Sequence, residues 1–184
     1  KPAVVGLVHG SPQTRQLVQP LAAALLEAGD SLEILTDRAD LLPGNGYLVE
    51  RIPPHGGSRT VEAVHDRLTQ VIVHHDRVLV ELEQTRGGDE LSGLLAQCEE
   101  IWWLAESRDA EPALKRLRSL IERFPKLAQR IHLVWILDES ERYAPPQPEP
   151  LGIASPDFKI VLSADPARPD RHQQQGIARL VRHL

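Results

Sequence analysis

Ala3-Val4-Val5-Gly6-Leu7-Val8-His9 is a run of apolar residues that ends in a histidine, and it predicts a strand buried on both faces. Residues 9–15 (HGSPQTR) then form a turn, and residues 14–28 (TRQLVQPLAAALLEA) predict a helix that Gly29 closes. This strand, turn and helix order is typical of nucleotide-binding α/β domains. A phosphate-binding loop has several glycines and a Lys-Ser/Thr pair, whereas residues 9–15 contain one glycine, one proline and no lysine. The sequence therefore predicts the scaffold without the phosphate loop.

Short apolar runs alternate with amphipathic stretches along the rest of the chain. The amphipathic stretches predict helices over residues 60–73, 89–98 and 110–128. The apolar runs predict further strands at residues 32–36, 77–82, 101–105, 131–137 and 158–162, with an edge strand near 47–49. This order indicates a three-layer α/β domain of the P-loop/Rossmann-like kind, with a mostly parallel sheet of about six strands and helices on both faces. When the strands are numbered along the chain with the edge strand left out, we expect them to lie in the order 2-3-1-4-5-6 across the sheet.

Composition limits the classes of protein to which the chain can belong. Its 184 residues and 41% hydrophobic content suit one globular domain, and its net charge of −5 argues against a nucleic-acid partner. Cys98 is the single cysteine, which excludes an internal disulfide and a thiol–metal cluster. No apolar run approaches the ~20 residues that span a bilayer. We expect a cytoplasmic protein.

The two ends of the chain indicate a segment of a longer polypeptide. The chain contains no Met, and its last stretch repeats apolar residues at helical spacing, at Ile177, Leu180, Val181 and Leu184. We therefore divide it into an α/β domain at residues 1–164 and a linker with a connector helix, at residues 165–184, that leads to a downstream domain. Alternatively, this last helix folds back on the α/β domain.

The first turn has two interpretations. In one, backbone amides around Gly10 and Ser11 bind a phosphate at the start of the helix, with help from Thr14 and Arg15. In the other, Ser11 or Thr14 caps the helix and nothing binds. We favour the cap, because the turn lacks the glycines that let a backbone approach a phosphate closely.

The strand at residues 77–82 carries Glu81 near its end, where a neighbouring strand of a P-loop enzyme carries an Asp that helps to hold magnesium. Glutamate is longer and places its charge differently. We therefore favour a second interpretation, in which Glu81 and Glu83 are solvated carboxylates at the rim of the sheet.

Other catalytic motifs are missing from the sequence. No Gly-x-Ser-x-Gly elbow occurs, and Cys98 is expected to be a small buried hydrophobe. His74 and His75 are neighbours that point about 100° apart on a helix, and no His-Glu-x-x-His pattern exists. We assign no metal, no cofactor and no catalytic residue.

The predicted helix at residues 110–128 carries a basic face. Lys115, Arg118 and Arg123 lie opposite its apolar residues, together with Arg116 and Lys126. Such a face could contact anionic lipid or an acidic partner. We favour an ordinary solvated face, since cations near a helix C-terminus are stabilised by its dipole.

Taken in order, these segments resemble the region just upstream of the catalytic domain in patatin-like phospholipases of the neuropathy target esterase type. The resemblance is carried by residues 4–8, 25–29, 32–37, 76–81, 98–104, 170–172 and 177–184. The same run is similar to a degenerate MinD/ParA-type P-loop protein. The resemblance implies cyclic-nucleotide-binding-like domains upstream and a Ser-Asp esterase downstream. No catalytic residue carries over to this segment.

Together these observations predict a non-catalytic regulatory or scaffolding domain of a larger patatin-like phospholipase, a serine esterase of lipid metabolism. Its expected partners are the adjacent domains of the same chain and, through the parent protein, the membrane surface. The first alternative is a nucleotide-binding switch of MinD/ParA type with an atypical phosphate loop, in which Gly10, Ser11, Thr14, Arg15 and Glu81 contact the nucleotide. The second is a membrane- or partner-docking module that uses the basic helix.

Overall fold

The computed structural model describes residues 2–53, 56–138, 152–153, 158–163, 165 and 168–184. Within them the strands form a single sheet in which every neighbouring pair is parallel. The strands are β1 Val4–His9, β2 Leu32–Thr36, β3 Tyr47–Arg51, β4 Arg77–Glu83, β5 Glu100–Glu106, β6 Ile131–Leu137 and β7 Phe158–Val161. Their order is β3-β2-β4-β1-β5-β6-β7. The predicted α/β class and strand order are confirmed, with β3 as the predicted edge strand.

Helices cover both faces of the sheet. They are α1 Pro12–Arg15, α2 Val18–Glu27, α3 Ser58–Val71, α4 Gly88–Leu95, α5 Ala110–Arg123 and α6 Arg171–His183. The apolar residues of α2 and α6 share one core with Trp102, and those of α3, α4 and α5 share the other core with Trp103. The two neighbouring indoles enter opposite layers because side chains alternate across a strand.

The helix expected over residues 14–28 is two helices, and that prediction was wrong. Gln16 and Leu17 donate to carbonyls only three residues back, which closes α1 before α2 begins. Pro20 has no N–H to donate to the Gln16 carbonyl, so it lies in the first turn of α2, where no intrahelical donor is needed. The helix expected over residues 110–128 likewise ends at Arg123, and the 3-10 segment Pro125–Arg130 follows it.

Helix α6 packs against the domain. Ile177, Leu180 and Leu184 are buried in the same core as α2. The buried Arg77 side chain reinforces this packing, because it donates to the Leu184 carbonyl at 2.7 Å and to Asp30 Oδ2 at 3.0 Å. These contacts agree with the alternative in which the helix folds back. A connection from it to a downstream domain stays a prediction.

Among the described residues, no helix combines the length and the apolar character that crossing a bilayer requires.

Candidate functional site

The carboxyl ends of β1, β2 and β4 meet at one edge of the sheet. Helix α2, which follows β1, packs on one face, and α4, which follows β4, packs on the other. Adjacent strands whose connections leave in opposite directions form a switch point, and this is where ligands bind in open α/β sheets. The turn after β1 therefore lies at the position that the fold favours for a ligand.

The turn after β1 is closed by its own hydrogen bonds. Thr14 Oγ1 accepts from the Gly10 amide at 3.2 Å and from the Ser11 amide at 3.1 Å. In return, Ser11 Oγ accepts from the Thr14 amide at 3.3 Å, so the two residues form a capping box on α1. The predicted cap is confirmed, and the Gly10 and Ser11 amides have an acceptor within the chain.

Gln84 packs against the same turn. Its Nε2 donates to the Leu104 carbonyl at 2.8 Å and to the Val8 carbonyl at 3.3 Å. A Cβ atom on Gly10 would lie 2.4 Å from Gln84 Oε1, so residue 10 is a glycine that makes room for this side chain. The cavity left beside the turn measures about 20 Å³, room for about one water molecule and not for a phosphate group.

Glu81 is buried, and the expectation that it is solvated was wrong. Its side chain is 0% exposed, because β4 is an inner strand and Glu81 points toward the α2 layer. It accepts from Arg38 Nη1 at 3.0 Å and from Thr36 Oγ1 at 3.2 Å. Glu83 lies two residues nearer the rim, is 40% exposed and pairs with Arg15 Nη2 at 2.6 Å.

Each carboxylate at this edge has an arginine partner. Glu81 pairs with Arg38, Glu83 pairs with Arg15, and Asp37 pairs with Arg86 at 3.1 Å. We refer to these six residues, with His9 at their centre, as the charged cluster. Among these six residues three carboxylates face three arginines, while Arg86 also pairs with Glu90 and Arg38 with the exposed Asp40. An arginine beside each buried carboxylate offsets part of the cost of burying its charge.

Burial and pairing act in opposite directions on the two innermost carboxyls. Burial raises the pKa of Glu81 above its ordinary value, and Arg38 offsets only part of that rise. Burial also acts to raise the pKa of Asp37, but surrounding donors, including the Glu83 amide and Arg86, hold that pKa below its ordinary value.

His9 lies between these carboxylates. Its Nδ1 is 3.4 Å from the donor Nε of Arg15, so we assign Nδ1 as the acceptor and place the proton of the neutral ring on Nε2. Nε2 is 3.4 Å from Glu81 Oε1 and 3.6 Å from Asp37 Oδ1. His9, Asp37 and Glu83 are close enough to bind one metal ion. The arginine partners of these ligands compete with that use, because a divalent cation would have to displace them.

Part of this site is predictable from the sequence. Gly10, Ser11 and Thr14 form the turn, and the structure brings Arg15 and Glu81 together through His9. Sequence reasoning missed the residues that balance the charge, namely Asp37, Arg38 and Arg86, and the packing residue Gln84. The available signal was the position of these residues, since Asp37 and Arg38 directly follow β2 and Gln84 directly follows β4.

The basic residues of α5 lie in two different surroundings. Lys115 and Arg123 line a cavity of about 440 Å³, whose other lining residues include Trp103 and Arg116. Arg118 is not among the lining residues and pairs with Glu111 at 3.4 Å. A docking surface that uses Lys115, Arg118 and Arg123 together stays a prediction.

Comparisons with known proteins identify the fold. The chain superposes on a ParA family ATPase from Chlorobium tepidum TLS with a TM-score of 0.64, at 12% identity, over 99% of each chain. It superposes on a plasmid partition protein from Borrelia burgdorferi with a TM-score of 0.65, at 8% identity, over 100% of each chain. The chain has a ParA-type fold.

At these identities the likeness is limited to the ParA-type fold. The chain also aligns with an LAO/AO transport system kinase, of which it spans 45%, at 11% identity and a TM-score of 0.49. No family model matches the sequence, and no curated protein matches it significantly. These comparisons lend no support to the patatin resemblance, which stays a prediction.

Proposed function

We propose that this chain is a non-catalytic regulatory or scaffolding domain that keeps a ParA-type fold without binding a nucleotide phosphate. The observation that carries the proposal is the pair of hydrogen bonds from the Gly10 and Ser11 amides to Thr14 Oγ1. Amides at the start of a helix bind phosphate where their N–H groups are free to point at it. In this turn the two amides already have an acceptor within the chain.

The surroundings of the turn support the same conclusion. A triphosphate would have to displace Gln84, whose amide bridges the carbonyls of Val8 and Leu104. A magnesium ion would have to compete with Arg38 for Glu81 and with Arg86 for Asp37. The edge that binds ligands in other open α/β sheets is therefore filled by the protein's own side chains, which favours a structural use of the domain.

The proposal also names the kind of protein to which the domain belongs, which is a more specific claim than its regulatory role. We place the domain in a patatin-like phospholipase, where it would connect adjacent domains of the same chain, on the sequence resemblance alone. The sequence that follows Leu184 tests this placement, because a glycine-rich loop followed by Gly-x-Ser-x-Gly is required there. Docking to a membrane or a partner through Lys115, Arg118 and Arg123 is a separate alternative, and co-sedimentation with anionic vesicles tests it, because reversal of these charges should then release the chain.

A second candidate is a nucleotide-binding switch with an atypical loop. The likeness in fold to a ParA family ATPase favours it over the phospholipase parent. Arg15 and Glu81 would then be needed for binding, because Arg15 directly follows the turn and Glu81 stands near the end of the strand on which P-loop enzymes carry the acid that helps to hold magnesium. The closed capping box is the observation that speaks against this candidate.

Titration calorimetry separates the two candidates. We expect no saturable heat when MgATP or MgGTP is added to the 184-residue chain at up to about 1 mM, a concentration that detects even weak sites. Saturable micromolar binding that Arg15→Ala abolishes, and that the control Arg118→Ala leaves intact, would establish the switch instead. Esterase assays on the same chain should give no activity.

A further inference from the structure

Three side chains from distant parts of the sequence meet at the amino edge of the sheet, opposite the charged cluster. They are Glu100 at the start of β5, His132 as the second residue of β6 and His183 at the end of α6. Glu100 Oε1 lies 3.0 Å from His183 Nε2 and 3.6 Å from His132 Nε2. The three potential ligand atoms all lie within 4.8 Å of one another.

His132 is buried, at 8% exposed, and neither of its ring nitrogens has a hydrogen bond within the described residues. Its Nε2 lies 3.6 Å from Glu100 Oε1, slightly too far for a hydrogen bond. Its ring packs against Phe158 and His183, with centroids 5.7 and 4.8 Å away. The Nε2 atom of His132 faces Glu100 Oε1 across 3.6 Å, and a ligand shared by these two atoms and His183 would fill this gap.

We propose that Glu100, His132 and His183 bind a divalent transition-metal ion, with zinc as the ion that fits best. Zinc binds imidazole nitrogen and carboxylate oxygen at about 2.0–2.2 Å, which separates neighbouring ligand atoms by about 3.4 Å in a tetrahedral site. The two distances from Glu100 Oε1 bracket that separation. Two histidines and one glutamate leave a fourth position for water.

Contacts around Glu100 suit a metal ligand. Trp102 Nε1 donates to Glu100 Oε1 at 2.6 Å and fixes the orientation of the carboxylate, as partners behind metal ligands commonly do. Within the described residues, Glu100 has no lysine or arginine partner, so its charge is available to a cation. The possible ligands His9, Asp37 and Glu83 at the other edge differ in this respect, because arginines contact each of them.

The fold gives the ion a structural role. Glu100 and His132 belong to the sheet, and His183 belongs to the helix that covers it, so the ion would join α6 to β5 and β6. The His183 side chain is 32% exposed, which leaves a path for an ion from solvent. This site is independent of the proposed function at the opposite edge.

Zinc titration of the chelator-treated 184-residue chain tests the site. We expect calorimetry to show one Zn²⁺ bound per chain. The unfolding temperature should also rise, because an ion that binds only the folded state stabilises that state. His183→Gln and Glu100→Gln should each weaken binding at least about tenfold. His172→Gln removes an exposed imidazole from the same helix and should bind Zn²⁺ like the unchanged chain.

The outcomes are decisive even if one variant folds poorly. Cobalt(II) should give the strong visible absorption of a tetrahedral site in the unchanged chain and lose it in Glu100→Gln. The proposal is overturned if the unchanged chain binds no Zn²⁺, or if a correctly folded His183→Gln binds as tightly as it does. It is also overturned if His9→Gln, at the other edge, is the change that abolishes binding.

Discussion

Arg38→Met should destabilise the chain strongly at neutral pH and weakly at mildly acidic pH. The Arg38 side chain is 12% exposed and donates to the fully buried Glu81 at 3.0 Å. Methionine keeps most of the side-chain volume and removes the positive charge. Glu81 is then left as a buried carboxylate without its arginine, which is the situation that makes breaking a buried ion pair cost about 3–5 kcal/mol.

Protonation of Glu81 limits this penalty and makes it depend on pH. A carboxyl of ordinary pKa 4.5 can be neutralised at pH 7 for about 3.4 kcal/mol, and at pH 5 for about 0.7 kcal/mol. Burial already raises the pKa of Glu81, and loss of Arg38 raises it further. The folded chain then binds the proton more tightly than the unfolded chain, so its stability falls as pH rises above 4.5. We expect a loss of about 3 kcal/mol at pH 7 and of about 1 kcal/mol at pH 5.

Urea unfolding at pH 5 and pH 7 measures the two losses. Fluorescence of Trp102, Trp103 and Trp135 reports the transition well, because all three indoles are buried. The double variant Arg38→Met/Glu81→Gln removes the unpaired charge and should recover most of the stability lost at pH 7.

Two results would refute this reasoning about Arg38 and Glu81. One is an equal loss of stability at both pH values, which would mean that the Glu81 charge is not the cause. The other is a double variant no more stable at pH 7 than Arg38→Met alone. Asp40→Asn is the matched control, since it removes the exposed partner of Arg38 and should change stability little.

Four further predictions follow from individual contacts. Thr14→Val removes the acceptor of two loop amides and should lower the free energy of unfolding by about 1–3 kcal/mol, whereas Thr14→Ser should keep most of it, as urea titration would reveal. Burial raises the pKa of the Cys98 thiol to about 12, so a thiol reagent at pH 8 should modify the unfolded chain and spare the folded one. Gly6→Ala places a Cβ 3.1 Å from Cys98 Sγ and should cost about 1–3 kcal/mol, less if Cys98→Ala is added. Because the pKa of Asp37 lies below its ordinary 3.8, its contribution to stability is present above pH 3.8 and lost as pH falls through the folded value, so Asp37→Asn should lack that loss in acid titrations.

The sheet can be predicted from sequence because each inner strand is recognisable by itself. The run at residues 131–137 is buried throughout and apolar except for His132, as expected of a strand covered on both faces. The break after Arg15 is harder to predict, because a proline is acceptable in the first turn of a helix and disruptive later. The sequence around Pro20 does not show whether this proline lies in the first turn of a helix or further along it.

The contacts within the charged cluster depend on which residues of neighbouring strands lie side by side, and the sequence does not show this register. Glu81 lies beside Thr36 in the pairing of β4 with β2, and this places Arg38, two residues after that strand, over the carboxylate. A strand-end glutamate with no visible partner is reasonably predicted to be solvated. Its actual burial follows from an arginine that is remote in sequence and close only once the strands are aligned.

The position of Gln84 has a consequence for engineering. Grafting a glycine-rich loop and a lysine onto residues 9–15 would leave the Gln84 amide in the space that an anion needs, still bonded to two strands. Replacing Gln84 alone would leave those carbonyls without their donor and the turn still closed by Thr14. Recovery of anion affinity therefore requires simultaneous changes in two segments about seventy residues apart, so single substitutions along the way bring no gain.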